Sequence, residues 1–128
     1  MRVLLADDQA WLRSAIRLLL EQQIGVETVG EAVDAEHLRR VAMVSQPDLV
    51  LLDWELPGIQ VAGQRHALLS DLRDANPKLQ IIVMSGLPES SRPAMAAGAN
   101  AFVSKAAPPE QLLAALRKAQ QSINIARS

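Results

Sequence analysis

The sequence contains no cysteine, and its charge is almost balanced, with 13 Lys and Arg residues against 14 Asp and Glu residues. The absence of cysteine excludes disulfide frameworks, thiolate zinc sites, iron–sulfur clusters and cysteine nucleophiles. A net charge of -1 at pH 7 argues against a nucleic-acid-binding surface, because such a surface needs an excess of basic side chains. We therefore expect no direct nucleic-acid binding by this chain.

Long hydrophobic runs are also missing. The apolar start of the chain stops at Asp7 and Asp8, so it is too short for the hydrophobic region of a signal peptide, and no later run is long enough to span a bilayer. These features predict a soluble, cytoplasmic protein that does not enter a membrane. The 128 residues suit one domain, since about two-thirds of the unfolded chain's surface becomes buried at this length.

Short apolar runs alternate with longer segments of helical period along the chain. The apolar runs predict five strands, at residues 3–6, 26–32, 49–52, 81–84 and 101–103. Between them, apolar residues recur every three or four positions, as they do on the buried face of a helix. Five strand–helix units with apolar strands predict an α/β fold in which helices cover both faces of a doubly wound parallel sheet.

Helix boundaries are marked by residues that favour caps. Asp34 is a predicted N-cap, Gly98 a predicted C′ residue, and Pro109 suits the first position of the last helix. The segment from Gln120 to the end loses its apolar period. We expect that segment to fray.

Polar side chains stand at the predicted carboxyl ends of four strands. Asp7 and Asp8 follow the first strand, Asp53 the third, Ser85 the fourth and Lys105 the fifth. Because the ligand crevice of an open parallel sheet lies beyond these ends, we expect the five side chains to share one rim. Clustered carboxylates repel each other unless a cation lies between them or their pKa values rise, and an all-oxygen set suits Mg²⁺.

Phosphate is the predicted second ligand. Mg²⁺ is usually held by one or two carboxylates together with phosphate oxygens, and Lys105 and Ser85 would neutralise and hydrogen-bond the remaining oxygens. Asp53 ends the most buried strand, and an Asp carboxylate can act as a nucleophile that forms an aspartyl phosphate. No Gly-rich loop follows the first strand, which argues against a standing nucleotide site.

Each of these residues also has an ordinary interpretation. A strand-end Asp is more often a cap or a turn former than a metal ligand, a lone Lys is usually solvated, and a lone Ser often belongs to a turn. The joint pattern favours a site, because unrelated capping roles seldom place five such residues at the ends of four strands.

Five segments carry a resemblance to a known family. They are residues 3–9 (VLLADDQ), 47–53 (PDLVLLD), 56–58 (LPG), 83–86 (VMSG) and 102–105 (FVSK). With these motifs the chain resembles, over essentially its full length, the receiver domain of bacterial two-component response regulators. The stretches 98–105 and 109–112 look most like the NarL/LuxR branch of transcriptional regulators.

The resemblance implies an architecture as well as a family. It implies a flavodoxin-like, five-stranded parallel sheet with strand order 2-1-3-4-5. The receiver domain would cover residues 1–122, and residues 123–128 would form a tail or the start of a linker.

The resemblance also implies a role for each site residue. Asp53 would accept a phosphoryl group from a phosphohistidine on a sensor histidine kinase. Asp8 and Asp53 would bind Mg²⁺ directly, together with the backbone carbonyl of Glu55, and Asp7 would act through water. The residues that bind the phosphoryl group would be Lys105, Ser85 and Gly86, and the switch residues would be Ser85 and Phe102.

The implied function is signalling by phosphorylation. The receiver would regulate transcription through a DNA-binding output domain absent from this chain, and it would catalyse nothing beyond its own phosphotransfer and dephosphorylation. Two alternatives stay open: a stand-alone receiver that acts by protein–protein contact, and a Mg²⁺-dependent phosphatase with an aspartyl nucleophile. The phosphatase is disfavoured by the lack of a cap domain and a second general acid. Homodimer formation on phosphorylation also stays open.

The loop after the third strand, Glu55 and Trp11 are features that the family motifs do not cover. The loop after the third strand is longer than is usual in the family, with residues 59–62 among the surplus, and it could alter access to Asp53. Glu55 adds an acid beside the acceptor, where it would either modulate metal affinity and phosphoryl lifetime or simply be solvated. We expect Trp11 to pack against the core rather than to form part of a dimer surface.

Overall fold

The computed structural model describes residues 1–127, in which strands and helices alternate. The strands are β1 (Arg2–Ala6), β2 (Glu27–Ala32), β3 (Leu49–Asp53), β4 (Gln80–Ser85) and β5 (Ala101–Ser104). The helices are α1 (Ala10–Glu21), α2 (Ala35–Ser45), α3 (Gln64–Ala75), α4 (Ser91–Ala96) and α5 (Pro109–Arg127), and a 3₁₀ turn (Pro88–Ser90) precedes α4. This order confirms the predicted alternation.

The strands form one parallel sheet in the order β2-β1-β3-β4-β5. The predicted flavodoxin-like, doubly wound fold is therefore confirmed. Ala6 lies opposite Leu52, Asp53 opposite Met84, and Ser85 opposite Ser104. This register brings the carboxyl ends of β1, β3, β4 and β5 to one edge of the sheet.

The core lies on both faces of the sheet, as expected from the apolar runs of β1, β3 and β4. All five residues of β3 are buried. Val50 and Leu52 pack in a cluster that includes buried side chains of α2 and α3, whereas Leu49 and Leu51 pack in a second cluster with side chains of α1 and α5. Because helices pack on both faces, the backbone of the sheet fixes the positions of the side chains at the strand ends.

The predicted caps are found at three helix boundaries. The Asp34 carboxylate accepts a hydrogen bond of 2.7 Å from the backbone N–H of His37, which satisfies one of the free N–H groups of α2. Gly98 has φ = 106° after α4, a conformation that favours glycine. Pro109 is the first residue of α5.

The end of α5 differs from the prediction. The helix continues to Arg127 instead of fraying from Gln120, with Ile123 buried and an Arg127 Nη2 atom 2.6 Å from Asp48 Oδ1. Leu116, Ala119 and Ile123 continue the buried face, so polar residues between them conceal the period without ending it. The predicted boundary between the receiver unit and the tail, after residue 122, lies inside α5 and stays a prediction. The last residue of the predicted tail, Ser128, lies outside the described residues.

Trp11 also differs from the prediction. Its side chain is 70% exposed, so the expectation that it packs against the core is wrong. The reason is helical geometry: at about 100° per residue, Trp11 stands on the opposite side of α1 from the buried Leu20. Within residues 1–127, no helix combines the length and the apolar character needed to cross a membrane.

Candidate functional site

The predicted strand-end residues come together at the carboxyl edge of the sheet. Oxygen atoms of the Asp7, Asp8 and Asp53 carboxylates lie within 4.8 Å of one another. The Lys105 Nζ atom lies 3.0 Å from Asp7 Oδ2 and 3.1 Å from Asp53 Oδ1. Ser85, the last residue of β4, is fully buried at the same edge. The convergence predicted from the strand ends is therefore present in the fold.

Asp53 is held by the residues that follow it and by Lys105. Its Oδ1 atom accepts a hydrogen bond of 3.0 Å from the backbone N–H of Glu55 in addition to the contact with Lys105. Burial raises the pKa of Asp53; the N–H of Glu55 opposes this effect, the charge of Asp7 adds to it, and Lys105 opposes it. The net effect is a pKa above the ordinary value for Asp, as expected for a carboxyl group in a crowded acidic site.

Lys105 is a cation between two acids. Burial alone would lower its pKa, but the hydrogen bonds to Asp7 and Asp53 and the charges of both carboxylates raise it above the ordinary value. Lys105 therefore stays charged at neutral pH. One ammonium group beside three carboxylates still leaves a surplus of negative charge, which favours a bound cation.

Asp7 is fixed from both its side chain and its backbone. Its Oδ1 atom accepts a 2.8 Å hydrogen bond from the N–H of Gln9, and its backbone carbonyl accepts a 2.7 Å hydrogen bond from Arg13 Nη1. Arg13 Nε is itself paired with Glu31 Oε1 at 3.0 Å. Asp7 thus combines the ordinary turn-forming role with a place in the acidic cluster, whereas Asp8 is exposed.

The donor set fits Mg²⁺. The cluster offers carboxylate oxygens, which this ion prefers, and Asp8 is open to the waters that the ion usually retains. The backbone carbonyl of Glu55, the third predicted ligand, accepts a 3.2 Å hydrogen bond from Gln60 Nε2. A carbonyl oxygen has a second lone pair, so this bond leaves it able to bind a cation.

Ser85 makes a contact that the sequence did not indicate. Its hydroxyl donates to the Glu55 carboxylate, at 2.8 Å from Oε1 and 3.1 Å from Oε2, and accepts from the N–H of Leu87 at 3.0 Å. Glu55 is half-buried. The interpretation of Glu55 as a simply solvated acid is therefore wrong; its predicted influence on metal affinity and phosphoryl lifetime stays a prediction.

Gly86 and Phe102 lie beside these residues. Gly86 is exposed, and a Cβ atom built at this position would meet no heavy atom within 4 Å apart from those of its two chain neighbours. Phe102 is half-buried and packs against the core cluster on the α2 and α3 face of the sheet. Both positions are compatible with the predicted roles, which stay predictions.

The long loop after β3 is anchored beside the site. Ile59 is fully buried in the core, whereas Val61 is 73% exposed. Where the loop enters α3, Arg65 Nε donates to the backbone carbonyl of Trp54 at 2.9 Å, and the guanidinium group lies 4.9 Å from the centre of the Trp54 ring. Ile59 therefore anchors the additional residues in the core, and Arg65 ties the start of α3 to the segment that carries Asp53.

Three site residues were missed by the sequence interpretation in the roles they have here. They are Arg13, Gln60 and the side chain of Glu55. Each acts across the fold through a flexible side chain, and the sequence holds no signal for the distances involved. The sequence had marked the Glu55 side chain as an acid beside the acceptor, but nothing in it indicated the contact with Ser85.

Comparison with known proteins agrees with the family resemblance found in the sequence. Residues 3–117 match the family model described as the response regulator receiver domain. The response regulator UvrY of Escherichia coli (strain K12) is 33% identical over 117 residues, which cover 90% of this chain and 52% of that protein. The chain thus spans about half the length of the curated relatives it matches.

Solved structures show the same likeness. A two-component response regulator of the LuxR family from Aurantimonas sp. SI85-9A1 is 28% identical, with a TM-score of 0.79 over 91% of this chain and 82% of that one. RcsB from Salmonella enterica serovar Typhimurium, bound to promoter rprA in the presence of the phosphomimetic BeF3-, is 26% identical, with a TM-score of 0.80 over 94% of this chain and 98% of that one.

Proposed function

Because the chain belongs to the response regulator receiver domain family, in its NarL/LuxR-like branch, we propose that Asp53 is its phosphoacceptor. A phosphohistidine on a sensor histidine kinase would supply the phosphoryl group. The observation that carries this proposal is the position of Lys105, whose ammonium group lies 3.0 Å from Asp7 and 3.1 Å from Asp53. An ammonium group at this position can bind the oxygens of a phosphoryl group attached to the Asp53 carboxylate.

Receiver domains bind Mg²⁺, and the acidic cluster of this chain fits that ion. We propose that the carboxylates of Asp8 and Asp53 and the backbone carbonyl of Glu55 would hold it, with Asp7 acting through water. When bound, the ion would offset the negative charge shared by the carboxylates and the phosphoryl oxygens.

The attacking atom would be Asp53 Oδ2. Among the contacts of residues 1–127, the hydrogen bond from Glu55 and the ion pair with Lys105 both involve Oδ1. Oδ2 would form the new bond to phosphorus while the bond from phosphorus to the histidine nitrogen breaks, and the imidazole would leave with that electron pair. Lys105 would stabilise the phosphoryl oxygens during the transfer.

The phosphorylated state would be recognised by the end of β4. Ser85 would donate its hydroxyl proton to a phosphoryl oxygen, Gly86 would leave the approach open, and Phe102 would turn inward behind Ser85. The new charge and acceptor oxygens would favour one arrangement of these loops over the other. The resulting change of surface would be the output.

Response regulator receivers are generally signal transducers rather than enzymes. We propose that this one catalyses only its own phosphotransfer and dephosphorylation, in the cytoplasm. Its output would be transcription regulation through a DNA-binding domain, with residues 1–122 as the receiver unit and residues 123–128 as a tail or linker. The similar protein RcsB is bound to a promoter in its solved structure, which supports this output over a stand-alone receiver.

Phosphorylation by acetyl phosphate tests the acceptor. With Mg²⁺ present, intact-protein mass spectrometry should show one added phosphoryl group on the wild type and none on Asp53→Asn. Asp74→Asn removes an exposed carboxylate from α3 and should retain the adduct. A wild type that gains no phosphoryl group, or an adduct that persists in Asp53→Asn, would refute the proposal.

A further inference from the structure

The only hydroxyl proton of Ser85 is already engaged in this structure. A hydroxyl has one proton to donate, and Ser85 donates it to the Glu55 carboxylate while accepting from the N–H of Leu87. Ser85 is completely shielded from solvent, so water cannot stand in as a partner. The proton given to Glu55 is the one that a phosphoryl oxygen would need.

We propose that Glu55 is a positioning residue that acts as an internal competitor for the Ser85 hydroxyl. Its carboxylate holds Ser85 in the arrangement without phosphate, and the switch operates only when a phosphoryl oxygen displaces that carboxylate. This inference rests on the proposed function and adds to it a device that sets how readily the site responds.

Both backbone polar groups of Glu55, the N–H and the carbonyl, form hydrogen bonds, and this makes its side chain an effective competitor. Its N–H donates to Asp53 Oδ1 at 3.0 Å, and its backbone carbonyl accepts from Gln60 Nε2 at 3.2 Å. Gln60 follows Ile59, which is fully buried, so the long loop holds Gln60 close to Glu55. A side chain that starts from a fixed backbone loses less conformational freedom when it binds Ser85.

Charge makes the two arrangements exclusive. A phosphoryl group adds negative charge and acceptor oxygens, and a second carboxylate near them is repelled. When the phosphoryl group is present, the Glu55 side chain therefore moves away, and the Ser85 hydroxyl donates its hydrogen bond to a phosphoryl oxygen instead of to the Glu55 carboxylate. Removing the Glu55 carboxylate should leave Ser85 available from the start.

Binding of beryllofluoride with Mg²⁺, followed by Trp54 fluorescence, measures this competition. Glu55→Ala should raise the affinity on the order of tenfold, the range expected for losing one hydrogen bond to a charged acceptor. Glu55→Gln keeps an acceptor oxygen without the charge and should fall between Glu55→Ala and the wild type. Glu89→Ala is the matched control, because Glu89 is an exposed acid in the 3₁₀ turn that follows β4, and it should leave the affinity near that of the wild type.

A double-mutant cycle with Ser85→Ala separates positioning from charge. If Glu55 acts through Ser85, Glu55→Ala should change the affinity far less when Ser85 is already Ala. An equal gain in both backgrounds, no gain in the wild-type background, or the same gain from Glu89→Ala would overturn the inference. Thermal unfolding followed by circular dichroism verifies that each variant is folded.

The unliganded protein supplies a second readout. The amide resonance of Leu87, whose N–H donates to Ser85 Oγ, should shift in Glu55→Ala and shift less in Glu55→Gln. An unchanged Leu87 resonance in Glu55→Ala would also overturn the inference. If the wild type itself fails to bind beryllofluoride, the proposed function fails; if it binds and Asp53→Asn does not, the outcome concerns Glu55 alone.

Discussion

Lys105 keeps two buried carboxylates compatible with the folded state. Replacing Lys105 with Ala would leave Asp7 and Asp53 without their shared cation, and we expect a loss of about 3 kcal/mol in the free energy of unfolding, since an uncompensated buried charge is strongly destabilising. Added Mg²⁺ should recover part of the loss. Urea unfolding with and without Mg²⁺ measures both effects.

The exposed Lys118 of α5 provides the control for that variant. Lys118→Ala should change the free energy of unfolding by less than about 0.5 kcal/mol, as is usual for surface substitutions. Equal losses in the two lysine variants would contradict the role given to Lys105.

Asp53 should give the metal-free protein a characteristic dependence on pH. Its pKa is raised in the folded state, chiefly by burial, so above the ordinary value of 3.8 the folded protein retains the proton that the unfolded chain releases. The free energy of unfolding should therefore fall as pH rises from that value through the raised pKa. Asp53→Asn lacks this contribution.

Chemical unfolding of both proteins in EDTA at a series of pH values measures the effect. The stability of Asp53→Asn relative to the wild type should increase across that pH window and then become constant. A relative stability that is independent of pH would contradict the raised pKa.

Residues at strand ends were the most predictable part of the site. Asp7, Asp53 and Lys105 follow apolar strands directly, so the parallel sheet alone determines that they meet. The contact between Glu55 and Ser85 was not predictable in this way, because it depends on a side-chain rotamer and on the path of a loop. Polarity and position in the sequence do not encode either of these.

Among the elements, the loop after β3 makes a clear energetic prediction. Ile59 is fully buried, and Ile59→Ala should lower the free energy of unfolding by about 2–4 kcal/mol, the usual range for removing a large aliphatic side chain from a core. Val61, in the same loop, is 73% exposed, so Val61→Ala should change it by less than about 0.5 kcal/mol.

Urea unfolding of the two loop variants measures this difference. Similar stabilities would mean that Ile59 does not anchor the loop. A lower stability for Ile59→Ala would also predict faster hydrogen exchange at the backbone N–H of residue 59, which donates to the carbonyl of Leu56 at 3.4 Å, since local opening of the loop would expose that N–H.

Helix ends show both the success and the limit of prediction from sequence. Asp34 was predictable as an N-cap because its short carboxylate satisfies a free backbone N–H wherever a helix begins. The end of α5 was not predictable, because the buried positions Leu116, Ala119 and Ile123 are separated by polar residues that conceal their spacing. Their burial comes from the sheet beneath them, which the local sequence does not describe.

At the scale of the whole molecule, Mg²⁺ binding should stabilise the fold by mass action. An ion that binds the folded chain alone contributes about 2.7 kcal/mol at a concentration one hundred times its dissociation constant. The melting temperature of the wild type should therefore rise with Mg²⁺ concentration, as measured by circular dichroism. Asp8→Asn should lose most of this rise, because Asp8 is an exposed member of the acidic cluster.

Asp74→Asn again serves as the control and should show the same rise as the wild type. A rise of equal size in Asp8→Asn would place the bound ion elsewhere on the surface.

The topology itself was predictable from the strand–helix alternation together with the family resemblance, since parallel strands with right-handed crossovers leave few arrangements.

The course of α5 has a practical consequence for spectroscopy. Its 19 residues extend about 28 Å, from the edge that carries Lys105 to Asp48 at the opposite edge. Both tryptophans lie at the first edge, Trp54 directly after Asp53 and Trp11 in the first turn of α1. Intrinsic fluorescence therefore samples one pole of the molecule, and an event confined to the last turns of α5 would need a probe attached there to become visible.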